Sequence, residues 1–237
     1  MSTFNFKQFT IHQDRSAMKV GTDGVLLGAW APIDHHPFSI LDIGAGTGLI
    51  ALMLAQRSNA EQIDALEIDE EAYEQAVDNF ENSPWGDRLF CYHAGLDEFM
   101  DEPEDEYDLI VSNPPFYNED YKSKDEQRDM ARFQDALPFE DLVEAADLLL
   151  SENGIFAVII PFSEEERFVA LAKEFELYPM KITRVKGTPT TITKRSLLAF
   201  SRNEDVKVVV DELIIEIARH DYTEDYVNLT KDFYLKM

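Results

Sequence analysis

A chain of 237 residues with 45% hydrophobic content can bury a full core, and no apolar run reaches the ~20 residues that a bilayer-spanning helix needs. Its 47 acidic against 21 basic residues, a formal net charge of -26, argue against general affinity for nucleic acid, because phosphate binding rests on Lys and Arg. A single cysteine, Cys91, excludes an internal disulfide, and "MSTFNFKQFT" lacks the charged-then-apolar layout of a secretion signal; together they predict a cytoplasmic protein.

In chain order, "TFNFKQFTIHQDRSAMKVGTDGVLLGAWA" predicts strand-like stretches to about Val20 and then a short helix through Leu27 capped by Thr22 or Asp23. Residues 1–36 are expected to cover one face at the sheet's carboxyl edge, either as a lid that completes the core or in contact with a ligand. From 37 to 203 strand and helix patterns alternate, as in a parallel α/β sheet. "FSILDIG" reads as a strand stopped by glycine and "LIALMLAQR" as a helix. "IDALEID" is the next strand, and "EEAYEQAVDNFENS" an amphipathic helix with an acidic first turn. "RLFCYHA", "YDLIVSN" and "GIFAVII" are three further strands, with "FEDLVEAADLLLSENG" a helix ending on Gly154. "YPMKITRVKG" and "KRSLLAFS" are expected as an edge hairpin. Residues 204–237 suggest a strand pair and a closing helix, the whole forming a single domain with monomer as the expected state.

Charge is unevenly spread. Glu61 to Ile110 holds eighteen carboxylates and one basic residue, Arg88, which reads as a solvated face. Leu177 to Asn203 holds no carboxylate but contains Lys181, Arg184, Lys186, Lys194, Arg195 and Arg202. A polyanion is expected to bind only at that end, weakly and with strong salt dependence.

The chemistry begins at "LDIGAGTGLI". Gly44, Gly46 and Gly48 fall between a strand and a helix, where missing side chains let the backbone approach a ligand at the helix amino end. Glu67, about twenty residues on at the end of the next strand, is placed to accept both hydroxyls of a ribose. The glycines read G-x-G-x-G rather than the G-x-G-x-x-G of nicotinamide sites.

"YDLIVSNPPF" ends a strand on two prolines, which cannot donate to a sheet ladder. In a doubly wound sheet this corner neighbours the glycine turn. There the Asn113 side-chain oxygen and the Pro114 carbonyl can accept the hydrogens of a conjugated amine and favour its pyramidal, nucleophilic form, with Pro115 fixing the corner. Phe116 supplies a stacking face for a flipped-out base. No metal site is expected: the five histidines are scattered, and His35-His36 lies in a solvent-facing loop.

These motifs resemble the class I S-adenosylmethionine-dependent methyltransferases: "LDIGAGTG" is similar to their cofactor motif and "NPPF" to the signature of enzymes acting on exocyclic or amide nitrogen. The segments "FKQFTIHQDRSAMKVGTDGVLLGAWAP", "ALMLAQR", "NSPW" and "LTKDFYLKM" further resemble the bacterial tRNA(Val) adenine-37 N6-methyltransferases over nearly the whole chain. The resemblance implies a Rossmann-like α/β fold with a mostly parallel twisted sheet, helices on both faces and a small N-terminal extension. It implies S-adenosyl-L-methionine held by Asp42, Gly44, Gly46, Gly48 and Glu67, and Lys19, Thr22 and Asp23 near the cofactor's amino-acid tail. Asn113 to Phe116 would hold the target adenine, and Lys181, Arg184, Lys186, Lys194 and Arg195 would grip tRNA. Such enzymes usually place an Asp after the third strand against the cofactor adenine; this chain has Gly95 there, leaving Asp97 or a backbone group for the contact. The same chemistry also suits guanine N2 in ribosomal RNA or a protein glutamine, and a non-catalytic scaffold would keep the fold alone.

Overall fold

The computed structural model describes residues 3–101, 106–115 and 137–237. Strands β3 (Ser39–Ile43), β4 (Gln62–Glu67), β5 (Leu89–His93), β6 (Tyr107–Ser112), β7 (Leu150–Pro161), β8 (Tyr178–Lys186), β9 (Thr193–Ser201) and β10 (Val209–Ile214) form one sheet in the order β10-β8-β9-β7-β6-β3-β4-β5. Every neighbouring pair is parallel except those made by β9, which runs against both β7 and β8. All five residues of β3 are buried, as expected of a parallel strand covered on both faces.

Helices α1 (Thr22–Trp30), α2 (Leu49–Arg57), α3 (Glu70–Glu81) and α7 (Glu224–Thr230) contribute to an apolar cluster on one face. Helices α4 (Leu96–Asp101), α5 (Phe139–Leu149) and α6 (Glu165–Glu174) serve the other. Helix α3 shows how the sequence selects this arrangement. Its buried Ala72, Gln75, Ala76, Asn79 and Phe80 recur at helical spacing, and the N-cap Asp69 accepts the Ala72 amide at 2.8 Å.

Four expectations are corrected. The N-terminal strands β1 (Thr3–Asn5) and β2 (Thr10–His12) form a separate hairpin that stops well short of Val20. Helix α1 runs to Trp30, because its apolar "VLLGAW" is buried throughout, and its N-cap is Gly21 with Thr22 and Asp23 already inside the first turn. The β8–β9 hairpin is not at the sheet edge: β10 pairs in parallel with β8 and takes that place, while β11 (Glu216–Ala218) and β12 (Asp221–Tyr222) pair apart. Finally, α5 ends at Leu149 and "SENG" belongs to β7, where the pairing jumps from Tyr107–Leu150 to Leu109–Ile155. A Cβ on Gly154 would lie 2.7 Å from the Leu150 side chain and 2.9 Å from the Tyr107 carbonyl, so glycine serves a bulge in a strand instead of a helix end.

Candidate active site at the carboxyl rim of the sheet

Strand β3 delivers its chain to the rim at Gly44. Gly44, Gly46 and Gly48 have φ of 76°, 57° and 75°, a region in which a Cβ is strained. A Cβ on Gly44 or Gly46 would meet no atom within 4 Å, whereas one on Gly48 would press to 2.4 Å on the Phe80 ring. The first two glycines therefore keep space open above the turn, and the third lets helix α3 pack beneath it.

Two carboxylates frame this space. Glu67 ends β4 with its Oε2 accepting the Gly46 amide at 2.7 Å and its Oε1 accepting the Asp69 amide at 2.9 Å. Burial raises its pKa against those hydrogen bonds. Asp42 is fully buried below the turn: Oδ2 accepts the Ala51 amide at 3.1 Å, and Oδ1 has no partner among the described residues. Burial, with Glu67 nearby, pushes the Asp42 carboxyl up to about 7. Beside Glu67, Ile68 is 59% exposed. Gly95 follows β5, and a Cβ there would lie 2.5 Å from Oδ1 of Asp97, an exposed residue in the first turn of α4. The open turn, the orphaned Asp42 oxygen and the acid at the end of β4 fit a nucleoside cofactor whose ribose and charged tail lie along the rim.

Strand β6 lies beside β3, with Ser112 opposite Ile43. The buried Ser112 hydroxyl donates to the Ile43 carbonyl at 2.9 Å, tying the two strands at the point where both leave the sheet. Asn113 is half-buried, Pro114 buried and Pro115 exposed. Among the described residues no hydrogen-bond partner claims the Asn113 amide, and Phe116 lies outside them.

The N-terminal segment braces this site from below. Buried Asn79 of α3 donates to the carbonyls of Thr47 and His12, both at 2.9 Å, and accepts the His12 amide at 2.9 Å; one side chain thus joins the glycine turn to the β1–β2 hairpin. Lys19 donates to the carbonyls of Ser16, at 2.7 Å, and Gln13, closing its own loop, and Asp23 receives Arg195 at 2.8 Å. Thr22 is exposed in the first turn of α1. Neither Ser112 nor Asn79 carries a sequence signal beyond its polarity inside an otherwise apolar strand or buried helix face.

The carboxylate-free stretch is not a naked cationic patch. Arg184 pairs with Glu165 at 2.7 Å, Lys186 with Glu212 at 2.6 Å, Arg195 with Asp23 at 2.8 Å and Arg202 with Asp147 at 2.7 Å. The Lys181 ammonium lies 4.8 Å from the Trp30 ring centre, and Lys194 has no carboxylate partner among the described residues. No group of three metal-ligating side chains gathers among them, and none of their helices is long and apolar enough to cross a membrane.

Fold and site together define a class I S-adenosylmethionine-dependent methyltransferase. The methyltransferase small domain family matches residues 25–180. A tRNA1(Val) (adenine(37)-N6)-methyltransferase of Flavobacterium johnsoniae is 78% identical over 234 residues, covering 99% of this chain and all of that one. Its counterpart in Christiangramia forsetii is 64% identical over 236 residues, covering 99% and 98%. A crystal structure of a predicted O-methyltransferase from Agrobacterium tumefaciens shares the fold, with TM-score 0.69 over 89% of this chain and 96% of that chain at 19% identity. The chain belongs to the tRNA1(Val) (adenine(37)-N6)-methyltransferase family.

Proposed function

We propose that this protein methylates the exocyclic N6 amine of the adenine at position 37 in tRNA1(Val), the substrate named for its relatives. The observation that carries the reading is the Ser112–Ile43 hydrogen bond, which holds the Asn113-Pro114 corner against the glycine turn. S-adenosylmethionine supplies a methyl on a sulfonium, and its leaving group is neutral after transfer.

The residues divide the work. Gly44, Gly46 and Gly48 would present backbone to the cofactor, with Asp42 buried beneath the turn and fixing the start of α2 through the Ala51 amide, Asp97 exposed beside Gly95, and Glu67 taking the ribose hydroxyls while keeping the turn in place. Thr22 and Asp23 lie toward the amino-acid tail, and Lys19 holds the loop that leads to them. The Asn113 oxygen and the Pro114 carbonyl accept the hydrogens of the adenine amine, directing its lone pair outward; Pro115 stiffens the corner and Phe116 stacks on the base. Alignment and exclusion of water are the main sources of rate. The amine's proton leaves to water after transfer, so neither an ionised water nor a metal-bound nucleophile is needed. The protein acts as a monomer in the cytoplasm, where its substrate is. Lys186, Lys194 and Arg195 lie at the rim end of β8 and β9 and would meet the anticodon arm, while Lys181, opposite Ala199 in mid-sheet, would reach only RNA that extends down that edge.

The test is incubation with labelled S-adenosylmethionine and tRNA lacking this modification, beside Asn113→Ala, followed by digestion to nucleosides. Label in N6-methyladenosine that falls about 10²–10³-fold in the variant, with cofactor binding intact, is expected. Label in protein or in guanosine overturns the reading.

A further inference from the structure

We propose that Phe162 and Arg184 form a stacking ledge for a nucleobase adjacent to the target adenine. The inference rests on the tRNA reading above and adds a binding site to it.

Strand β7 lies between β6 and β9, and Ser112 is opposite Val158. Asn113 is thus level with Ile159, and Phe162, three residues further on, stands roughly 10 Å beyond it along the strand direction. Phe162 opens a single 3₁₀ turn, Phe162–Glu164, at the end of β7, and its ring is 39% exposed at the rim. The Arg184 guanidinium carbon lies 5.5 Å from the centre of this ring. Antiparallel pairing brings Arg184 to the same rim, with Ser196 opposite it and Arg195 opposite Pro161.

Arg184 is held in place rather than waving in solvent. Its Nε donates to Glu165 at 3.1 and 3.2 Å, and its Nη2 donates at 2.7 Å. Glu165 is itself buried and accepts the Ser196 hydroxyl at 2.5 Å. The pairing has two consequences. It cancels the guanidinium charge locally, which makes Arg184 a poor anchor for phosphate, and it leaves the planar group oriented with Nη1 free of any partner among the described residues. A charge-compensated guanidinium plane beside an exposed aromatic ring suits a flat, π-rich ligand bearing a hydrogen-bond acceptor. Nucleobases meet that description, and one of them needs such a surface. When the target adenine is swung out to reach Asn113, its neighbour in the loop loses a stacking partner. A ledge one strand away from the catalytic corner can replace it.

The experiment uses an anticodon stem–loop RNA carrying 2-aminopurine in turn at each neighbour of the target adenine, titrated with the full-length protein, alongside steady-state methylation of tRNA. Stacking of the probe on the ledge is expected to quench its fluorescence at one of the two positions. Phe162→Ala should abolish the quench and raise KM for tRNA about tenfold or more, leaving the cofactor Kd unchanged. Phe162→Trp should preserve both, and Phe162→Leu, apolar but not aromatic, should behave like the alanine variant. A wild-type protein that methylates tRNA while Phe162→Ala keeps the same KM and the same quench overturns the ledge and leaves the tRNA reading standing. A wild-type protein that neither binds nor methylates RNA overturns both.

Discussion

The Oε2 atom of Glu67 lies 2.7 Å from the Gly46 amide and accepts its hydrogen. The acid proposed to serve the ribose therefore also holds the glycine turn, across the boundary between β4 and β3. Glu67→Gln keeps one acceptor and sets its NH2 donor against the other amide, so one contact is lost and the remaining one weakened, since hydrogen bonds to ionised groups are roughly twice as strong as neutral ones. Glu67→Gln is expected to raise the cofactor Kd about tenfold by calorimetry, with only a small fall in Tm. An unchanged Kd would remove Glu67 from the binding site.

Asp42 gives the fold a specific pH response. Its carboxyl is raised from 3.8 to about 7 in the folded chain, so between about pH 4 and pH 7 the folded state binds more protons at this group than the unfolded state. The contribution is fully present below pH 4, is lost as pH rises to 7, and is level above that. The total is at most roughly 4 kcal/mol. Asp42→Asn removes the dependence, so the difference in unfolding free energy between wild type and variant should change in the variant's favour from pH 4 to pH 7. A difference that stays constant over that range refutes this.

The three glycines of the turn are not equivalent. Gly48→Ala combines a positive φ with a Cβ at 2.4 Å from Phe80, and is expected to cost about 3 kcal/mol of stability from strain and overpacking. Gly46→Ala has the strain alone, about 1–2 kcal/mol, but its Cβ projects into the open space above the turn where we place the cofactor. Thermal unfolding should rank Gly48→Ala as the worse, and titration with S-adenosylmethionine should show a large loss for Gly46→Ala. Equal losses of Tm would refute the distinction.

Asn79→Leu tests the brace beneath the turn. The change strands the Thr47 carbonyl in a buried setting and both backbone groups of His12 in a half-buried one, at about 2–4 kcal/mol in total. The urea midpoint should fall accordingly, and cofactor affinity should fall with it, because Thr47 sits inside the turn. Stability lost without any loss of affinity would show that the brace serves folding only.

Much of this was legible before the fold was known. The bounds of α2 match "LIALMLAQR" residue for residue, and the glycine turn, Glu67 and the Asn113 corner sit at one rim as the strand order requires. Hydrophobic periodicity reports whether a residue is buried and says nothing about which strand lies beside it, so the place of β10 outside β8 left no trace in the pattern. Bulges escape for the same reason: "SENG" resembles a helix end until Tyr107 appears opposite Leu150. Ion pairing is hidden by distance along the chain. Arg195 finds Asp23 172 residues away and Arg202 finds Asp147 55 residues away, so a stretch without carboxylates gave a misleading picture of a bare basic patch. Phe162 has no counterpart in the sequence pattern, because exposure of a single aromatic ring has no sequence signature.

The β1–β2 hairpin that seats on Asn79 is itself closed from the far end of the chain: Phe6 bridges Tyr234, and the Lys7 ammonium donates to the Lys231 carbonyl across a separation of 224 residues. A contact between residues 224 apart cannot form until nearly the whole chain has been made. On the ribosome, the central sheet can assemble while these partners are still unmade, and the hairpin gains its final neighbours only after residues 231–234 emerge. The nascent chain is thus expected to form the glycine turn before the clamp that stiffens it, so that the rim assembles from the sheet outward.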